Sequence, residues 1–195
     1  MTDDASWLTG IERKVGRCRI AAGEARAAII RRRYDAAIED VWDACTDPAR
    51  LGRWLSAPSG DFRVGGQYSL AGSARGEILR CEPPHLLRVT WAYWDRPADE
   101  VELRLFPGED EQTILEIEHA SIFDVILNDP IKGLWGVGSG WEMPLDYLGA
   151  FLRGKLPAGA LAAQREESAV DKERASRRGE EWTAAVAAAD APRDA

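Results

Sequence analysis

From residue 61 to residue 119 the chain is a succession of short runs separated by turn residues, and this texture limits the fold more than any other feature. Strands are read at 61–64, 67–72, 75–82, 86–94, 100–106 and 112–119. The joints are Gly65-Gly66, Gly72-Ser73, Glu82-Pro83-Pro84, Arg96-Pro97 and Pro107-Gly108-Glu109-Asp110. Glycine supplies positive φ at such joints and proline fixes φ while withholding a donor. Strands joined this briefly pair antiparallel, because a parallel crossover needs about a dozen residues. Two runs show period-two alternation. Leu87, Val89, Trp91 and Tyr93 share one face; Leu115, Ile117 and His119 share another, with Glu116 and Glu118 opposite.

The flanks add helices. VGRCRIAA and ARAAIIRRRYDA, around a Gly-Glu step, read as a strand pair. In AIEDVWDACTD the apolar Ile38, Val41, Trp42 and Cys45 fall at helical spacing. Asp47-Pro48 is an N-cap and first-turn pair, so a second short helix carries Leu51, Trp54 and Leu55. Residues 120–138 form a long loop. SGWEMPLDYLGAFLRGK then predicts a helix with Trp141, Leu145, Leu148 and Leu152 on one stripe. Ser139 and Glu142 fit a capping box. Pro144 removes one backbone bond, so a bend or a later start is expected. The division expected is a flexible leader over 1–14, a domain over 15–156, and an Ala/Glu/Arg-rich tail over 157–195. That tail is partly helical around Glu180–Ala189, with Trp182 as its anchor.

Composition narrows the function classes. A net charge of -8 argues against nucleic-acid binding and against an anionic membrane surface. Arg31-Arg32-Arg33 is short and alternates faces in a strand, so it reads as solvated or ion-paired. No apolar run reaches the roughly 20 residues that span a bilayer, and MTDDASWLTG lacks the order of a signal peptide. Three widely spaced cysteines suit a reducing, cytoplasmic setting. Eight Trp are the unusual count; bulky rings with one N–H donor fill a thick core or line a cavity.

The order of elements, together with particular residues, resembles the SRPBCC superfamily, the START-like, birch-allergen-like proteins. The nearest branch is the one named for the activator of the heat-shock ATPase. The matching residues are Arg33-Tyr34-Asp35-Ala36, Val41-Trp42-Asp43-Ala44, Thr46-Asp47-Pro48, Leu51, Trp54, Gly60-Asp61, Gly65-Gly66 and Gly76. Further along come Glu82-Pro83-Pro84, Thr90-Trp91, Leu115, His119, Gly140-Trp141-Glu142, Leu145 and Leu148. The resemblance covers roughly 29–153 and departs at Ala37, where the family often has Pro. It implies an α+β helix-grip fold: a curved antiparallel sheet wrapped around the long C-terminal helix, with two short helices closing one end. It also implies an apolar cavity between sheet and helix.

Pocket candidates on this reading are Trp54, Tyr68, Trp91, Tyr93, His119, Trp135, Trp141, Leu145 and Leu148. Core packing competes with ligand lining at each aromatic. Trp42 reads as core, and Trp94 as outward-facing. His119 is either a ligand contact or a structural histidine bonded to a loop carbonyl; His85 follows two prolines and faces solvent. No GxSxG, HExxH or His/Cys/carboxylate cluster with ligand spacing is present, so neither a cofactor nor a metal is expected. The pairs Glu116/Glu118 and Asp99/Glu100 read as solvated strand faces. Gly133, Gly136, Gly138 and Gly140 read as loop-turning glycines rather than a phosphate cradle. The reading ranks a binder of a small apolar ligand first. An interaction module with a protein partner or as a homodimer comes second, resting on the acidic surface and Trp182. An enzyme using His119 comes third.

Overall fold

The computed structural model describes residues 10–93, 96–123, 126, 136–156 and 169–192. Strands β1 (Ile11–Ile20) and β2 (Gly23–Tyr34) form a long hairpin. Helices α1 (Ile38–Thr46) and α2 (Pro48–Trp54) follow. Then come β3 (Pro58–Gly60), β4 (Gln67–Leu70), β5 (Arg75–Glu82), β6 (Leu86–Trp91), β7 (Asp99–Pro107) and β8 (Thr113–Ser121). Helix α3 (Val137–Leu152) crosses the sheet and α4 (Ala169–Asp190) ends the described chain. The eight strands lie in the order β1-β2-β8-β7-β6-β5-β4-β3, every pair antiparallel.

Local chemistry accounts for most of the joints. Asp47 accepts a hydrogen bond from the Arg50 N–H at 2.9 Å, and Pro48 opens α2, as the sequence predicts. The predicted strand at 61–64 is not formed. Pairing stops at Gly60, whose φ of +121 and approach to Gln67 leave no room for a side chain. The chain then turns through 61–66, with the Gly66 N–H donating to the Arg63 carbonyl, and Phe62 and Val64 stay exposed. Gly65 (φ +81) completes that turn.

The concave face of the sheet carries the core. Ile30, Tyr34, Ile78, Val89, Val101, Leu105, Leu115 and Ile117 are buried there with Val41 and Trp42 of α1 and Leu145 and Leu148 of α3. Inward residues alternate with charged ones on the convex face. There Arg31 and Arg104 both meet Glu116, and Arg88 meets Glu100 at 2.8 Å. Such ladders fix register more than they add stability, each contributing up to about 1 kcal/mol.

Helix α3 begins at Val137, earlier than a Ser139 cap would place it, and Gly136 is its N-cap without a side-chain bond. Ser139 instead donates to the Gly136 carbonyl. Pro144 lies inside the helix. Its ring removes the bond to the Gly140 carbonyl, and both residues border open space, where water can replace the missing donor.

Glu142 is therefore not a capping residue. It is fully buried, and both its oxygens are taken. Arg13 of β1 donates to Oε1 at 2.7 Å and to Oε2 at 2.8 Å, and the Trp182 indole of α4 donates to Oε1 at 2.8 Å. One turn on, Asp146 accepts from Arg32 of β2 and from Arg178 of α4. Burial pulls the Arg178 guanidinium below its ordinary pKa, while Asp146 and Glu142 act the other way. Arg32 and Arg31 are thus ion-paired, as read from the sequence. The tail helix is anchored by Trp182 as expected, but it runs from Ala169. The Trp182 ring lies flush on Gly138, where an added Cβ would come within 2.5 Å of the indole.

Candidate functional site

One face of α3 is locked to the hairpin and α4; another borders a cleft. The cleft has a volume of about 630 Å³ and lies at the N-terminal half of α3, near the ends of β6 and β7. Val137, Gly140, Trp141 and Pro144 supply the helix wall at i, i+3, i+4 and i+7 spacing. Opposite stand Leu70 at the end of β4, Ala74 of the β4–β5 connection, Trp91 at the end of β6 with Tyr93 beyond it, and Asp99 at the start of β7. Leu55 and Phe123 close the sides, and Arg75 and Arg96 are the cationic lining residues. Tyr93 and Phe123 are each 37% exposed, so the cleft opens to solvent along that rim.

The aromatic wall is a connected cluster. Trp91 packs on Trp141 with ring centroids 5.1 Å apart, and on Tyr93 edge-on at 6.1 Å. His119 stands edge-on to both indoles. Such tilted and T-shaped contacts hold rings rigidly. Burial pushes the Tyr93 phenol above its ordinary pKa, and Trp91 and Ser73 pull it partly back. Even so, the Trp91 Nε1–H has no acceptor in full hydrogen-bonding geometry among the described residues.

Behind the wall runs a short relay. His119 is only 1% exposed; its Nδ1 accepts from the Trp141 Nε1–H at 3.0 Å, and its Nε2 lies 3.0 Å from Asp99 Oδ2. An indole can only donate, so Nδ1 carries no proton and the ring proton sits on Nε2, directed at Asp99. His119 is thus neither a free ligand contact nor a histidine bonded to a loop carbonyl; it couples a tryptophan to a carboxylate. Both nitrogens are occupied, and the second faces an indole N–H rather than a hydroxyl or thiol. The pair therefore has no nucleophile to activate in this arrangement.

The reading of Asp99 and Glu100 as a solvated face is corrected. Asp99 is buried against His119, and Glu100 is buried while accepting from Arg88 and from the Ala21 N–H at 2.8 Å. The signal was in the parity: Asp99 lies in phase with the inward Val101 and Leu105.

The other candidates fall elsewhere. Trp91, Tyr93 and Trp141 line the cleft. Trp54 is buried under α1, its indole donating to the Ala44 carbonyl at 2.8 Å. Tyr68 is buried beside the cleft wall and donates to the Thr90 carbonyl at 2.9 Å. Leu145 and Leu148 are fully buried beneath α3. Trp135 and Trp94 lie outside the described residues. Sequence reasoning missed Asp99, Gly140 and Pro144. Among the described residues, no group of three His, Cys, Asp or Glu side chains could hold a metal, and no helix is long and apolar enough to cross a membrane.

A curved antiparallel sheet folded round one long helix, with two short helices at its end, defines a START-like helix-grip domain. The chain belongs to the family described as activator of Hsp90 ATPase homolog 1-like protein, whose family model matches residues 35–153. Among solved structures, CalU16 from Micromonospora echinospora is 46% identical, with 90% of this chain and 98% of that one covered at a TM-score of 0.75. An Hsp90 activator from Plasmodium falciparum is 25% identical over 65% of this chain and 96% of its own, at 0.55. DynU16, from the dynemicin biosynthetic locus, shares the fold at 20% identity and 0.58, over 68% of this chain and 49% of its own. Comparison with curated protein sequences returns no match.

Proposed function

We propose that this protein binds a small apolar or amphipathic molecule in the cleft between the first half of α3 and the ends of β6 and β7. The observation that carries this is the cleft itself: about 630 Å³, walled by Trp91, Trp141 and Tyr93, beside the buried core. Volumes of roughly 300–1,000 Å³ with apolar walls and a few polar groups are typical of ligand sites. Burying about 200 Å² of apolar ligand surface favours binding by about 5 kcal/mol before ordering costs. The aromatic cluster is already packed ring on ring, so little reorganisation is needed.

The interaction reading draws on the acidic surface and on the tail with Trp182. That indole is 1% exposed and bonded to Glu142, which leaves the tail little to offer a partner through this ring.

The test is titration with a lipophilic library, read by tryptophan fluorescence and by thermal shift. Quenching and a raised Tm are expected for some members. Gly140→Leu should abolish both while the protein stays folded, because a Cβ at Gly140 meets no atom within 4 Å and the longer side chain fills the cleft. No response from any member, or an unchanged response in Gly140→Leu, would remove the reading.

A further inference from the structure

The polar groups of the cleft say more about the ligand than its volume does. Asp99 is the carboxylate of the wall, with a side chain 11% exposed. One oxygen accepts from His119 Nε2–H. The relay from Trp141 fixes His119 as a neutral donor, so His119 orients the Asp99 carboxylate without cancelling its charge. Among the described residues, no guanidinium or ammonium comes within ion-pair distance of Asp99; its one such contact is with the neutral imidazole.

The contrast with the rest of the interior is instructive. Glu142 and Asp146, the acidic groups on the locked face of α3, each meet at least one arginine. A carboxylate removed from water is costly unless a cation or several donors answer it. At Asp99, among the described residues, a single neutral donor does so, and the carboxylate lines the cleft, where a cation can stand. Trp91, Trp141 and Tyr93 line the same cleft, and the negative face of an aromatic ring attracts a cation. Arg96, on the same lining, lies over the Phe123 ring at 5.9 Å.

Resting on the cleft-binding reading above, the geometry points to a ligand that carries a protonated amine on an apolar body. The amine stands against Asp99 and the body lies on the indoles. His119 and Trp141 act as positioning residues that hold the carboxylate toward the cleft. This selects against ligands whose polar end is an acid, and it ranks an amine above an alcohol of the same shape.

The experiment is calorimetric titration of the full chain with three matched probes: naphthylethylamine, naphthylethanol and naphthylacetic acid. It is run at neutral pH, where an alkylamine with a pKa of about 10 is charged. Wild type is expected to bind the amine about tenfold tighter than the alcohol, as for a charge-assisted hydrogen bond, with the acid weakest. Asp99→Asn keeps an acceptor for His119 and removes the charge. It should bring the amine's affinity down to that of the alcohol. Equal binding of amine and alcohol by wild type, or tightest binding of the acid, overturns the inference and leaves the cleft reading standing. Binding of none of the three removes both. The wild-type ranking needs no variant, so misfolding of Asp99→Asn would not shelter the proposal.

Discussion

The two long faces of α3 solve opposite problems with similar residues. On one, Glu142 and Asp146 are enclosed by Arg13, Arg32, Arg178 and Trp182, and Gly138 lets an indole lie flat on the backbone. On the other, Gly140 and Pro144 leave space, and Asp99 across the cleft has, among the described residues, only a neutral partner. Where each buried carboxylate meets a guanidinium within the chain, the face is structural. Where space and a carboxylate with a neutral partner coincide, the face borders the cleft proposed above as a ligand site. The difference also tracks the family boundary. The locked face ties α3 to β1 and α4, which lie outside the matched residues 35–153, whereas the cleft is built largely from residues within them.

The comparison can be broken most sharply at Glu142. Glu142→Gln leaves Arg13 without its carboxylate and should lower stability by about 3–5 kcal/mol in urea denaturation. Replacing both partners, Arg13→Met with Glu142→Leu, should cost much less than the single change, because the uncompensated charge is gone. Equal losses would mean that the pair is not a coupled unit.

Gly138→Ala comes next. An added methyl overlaps the Trp182 ring, so a cost of about 1–3 kcal/mol is expected, together with faster proteolysis at the arginines of α4. Unchanged cleavage would show that the locked face tolerates separation.

On the cleft side the effects are smaller. Trp141→Phe keeps an aromatic ring but removes the donor to His119 Nδ1, a loss of about 1 kcal/mol in thermal unfolding. Gly140→Ala should raise stability by up to about 1 kcal/mol, since a helical glycine is replaced where the space is free. A substitution that stabilises the empty protein and weakens ligand binding marks a position kept small for the ligand.

Cys45, on α1, belongs to neither face. Burial pushes the Cys45 thiol from 9.0 up to about 12, so the folded state holds its proton longer than the unfolded chain. The stability this contributes is complete below pH 9 and is lost as pH rises toward about 12, a loss absent in Cys45→Ala.

The sheet was readable because period-two alternation and turn residues are local signals: Leu87, Val89 and Trp91 or Leu115, Ile117 and His119 declare their face in the sequence. The 61–64 run misled because alternation there is cut off by Gly60, whose backbone approach to Gln67 depends on a strand partner. Asp99 and Glu142 were misread for one shared reason. A carboxylate beside another carboxylate, or three residues after a serine, has a common exposed interpretation, and only distant partners reverse it. Those partners are twenty residues away for Asp99 and 129 for Glu142. The cleft was placed by resemblance between sheet and helix, but which aromatics reach it depends on the angle at which α3 crosses, which no local pattern encodes.

The most direct test of the central claim uses the eight tryptophans as built-in reporters. Indole N–H resonances are followed by two-dimensional NMR during titration with naphthylethanol. The signals of Trp91 and Trp141 should move together while those of Trp54 and Trp182, held by Ala44 and Glu142, stay in place. Movement of Trp54 or Trp182 with Trp91 and Trp141 unchanged, or no movement at all under an apolar probe series, would contradict a ligand site on the open face of α3.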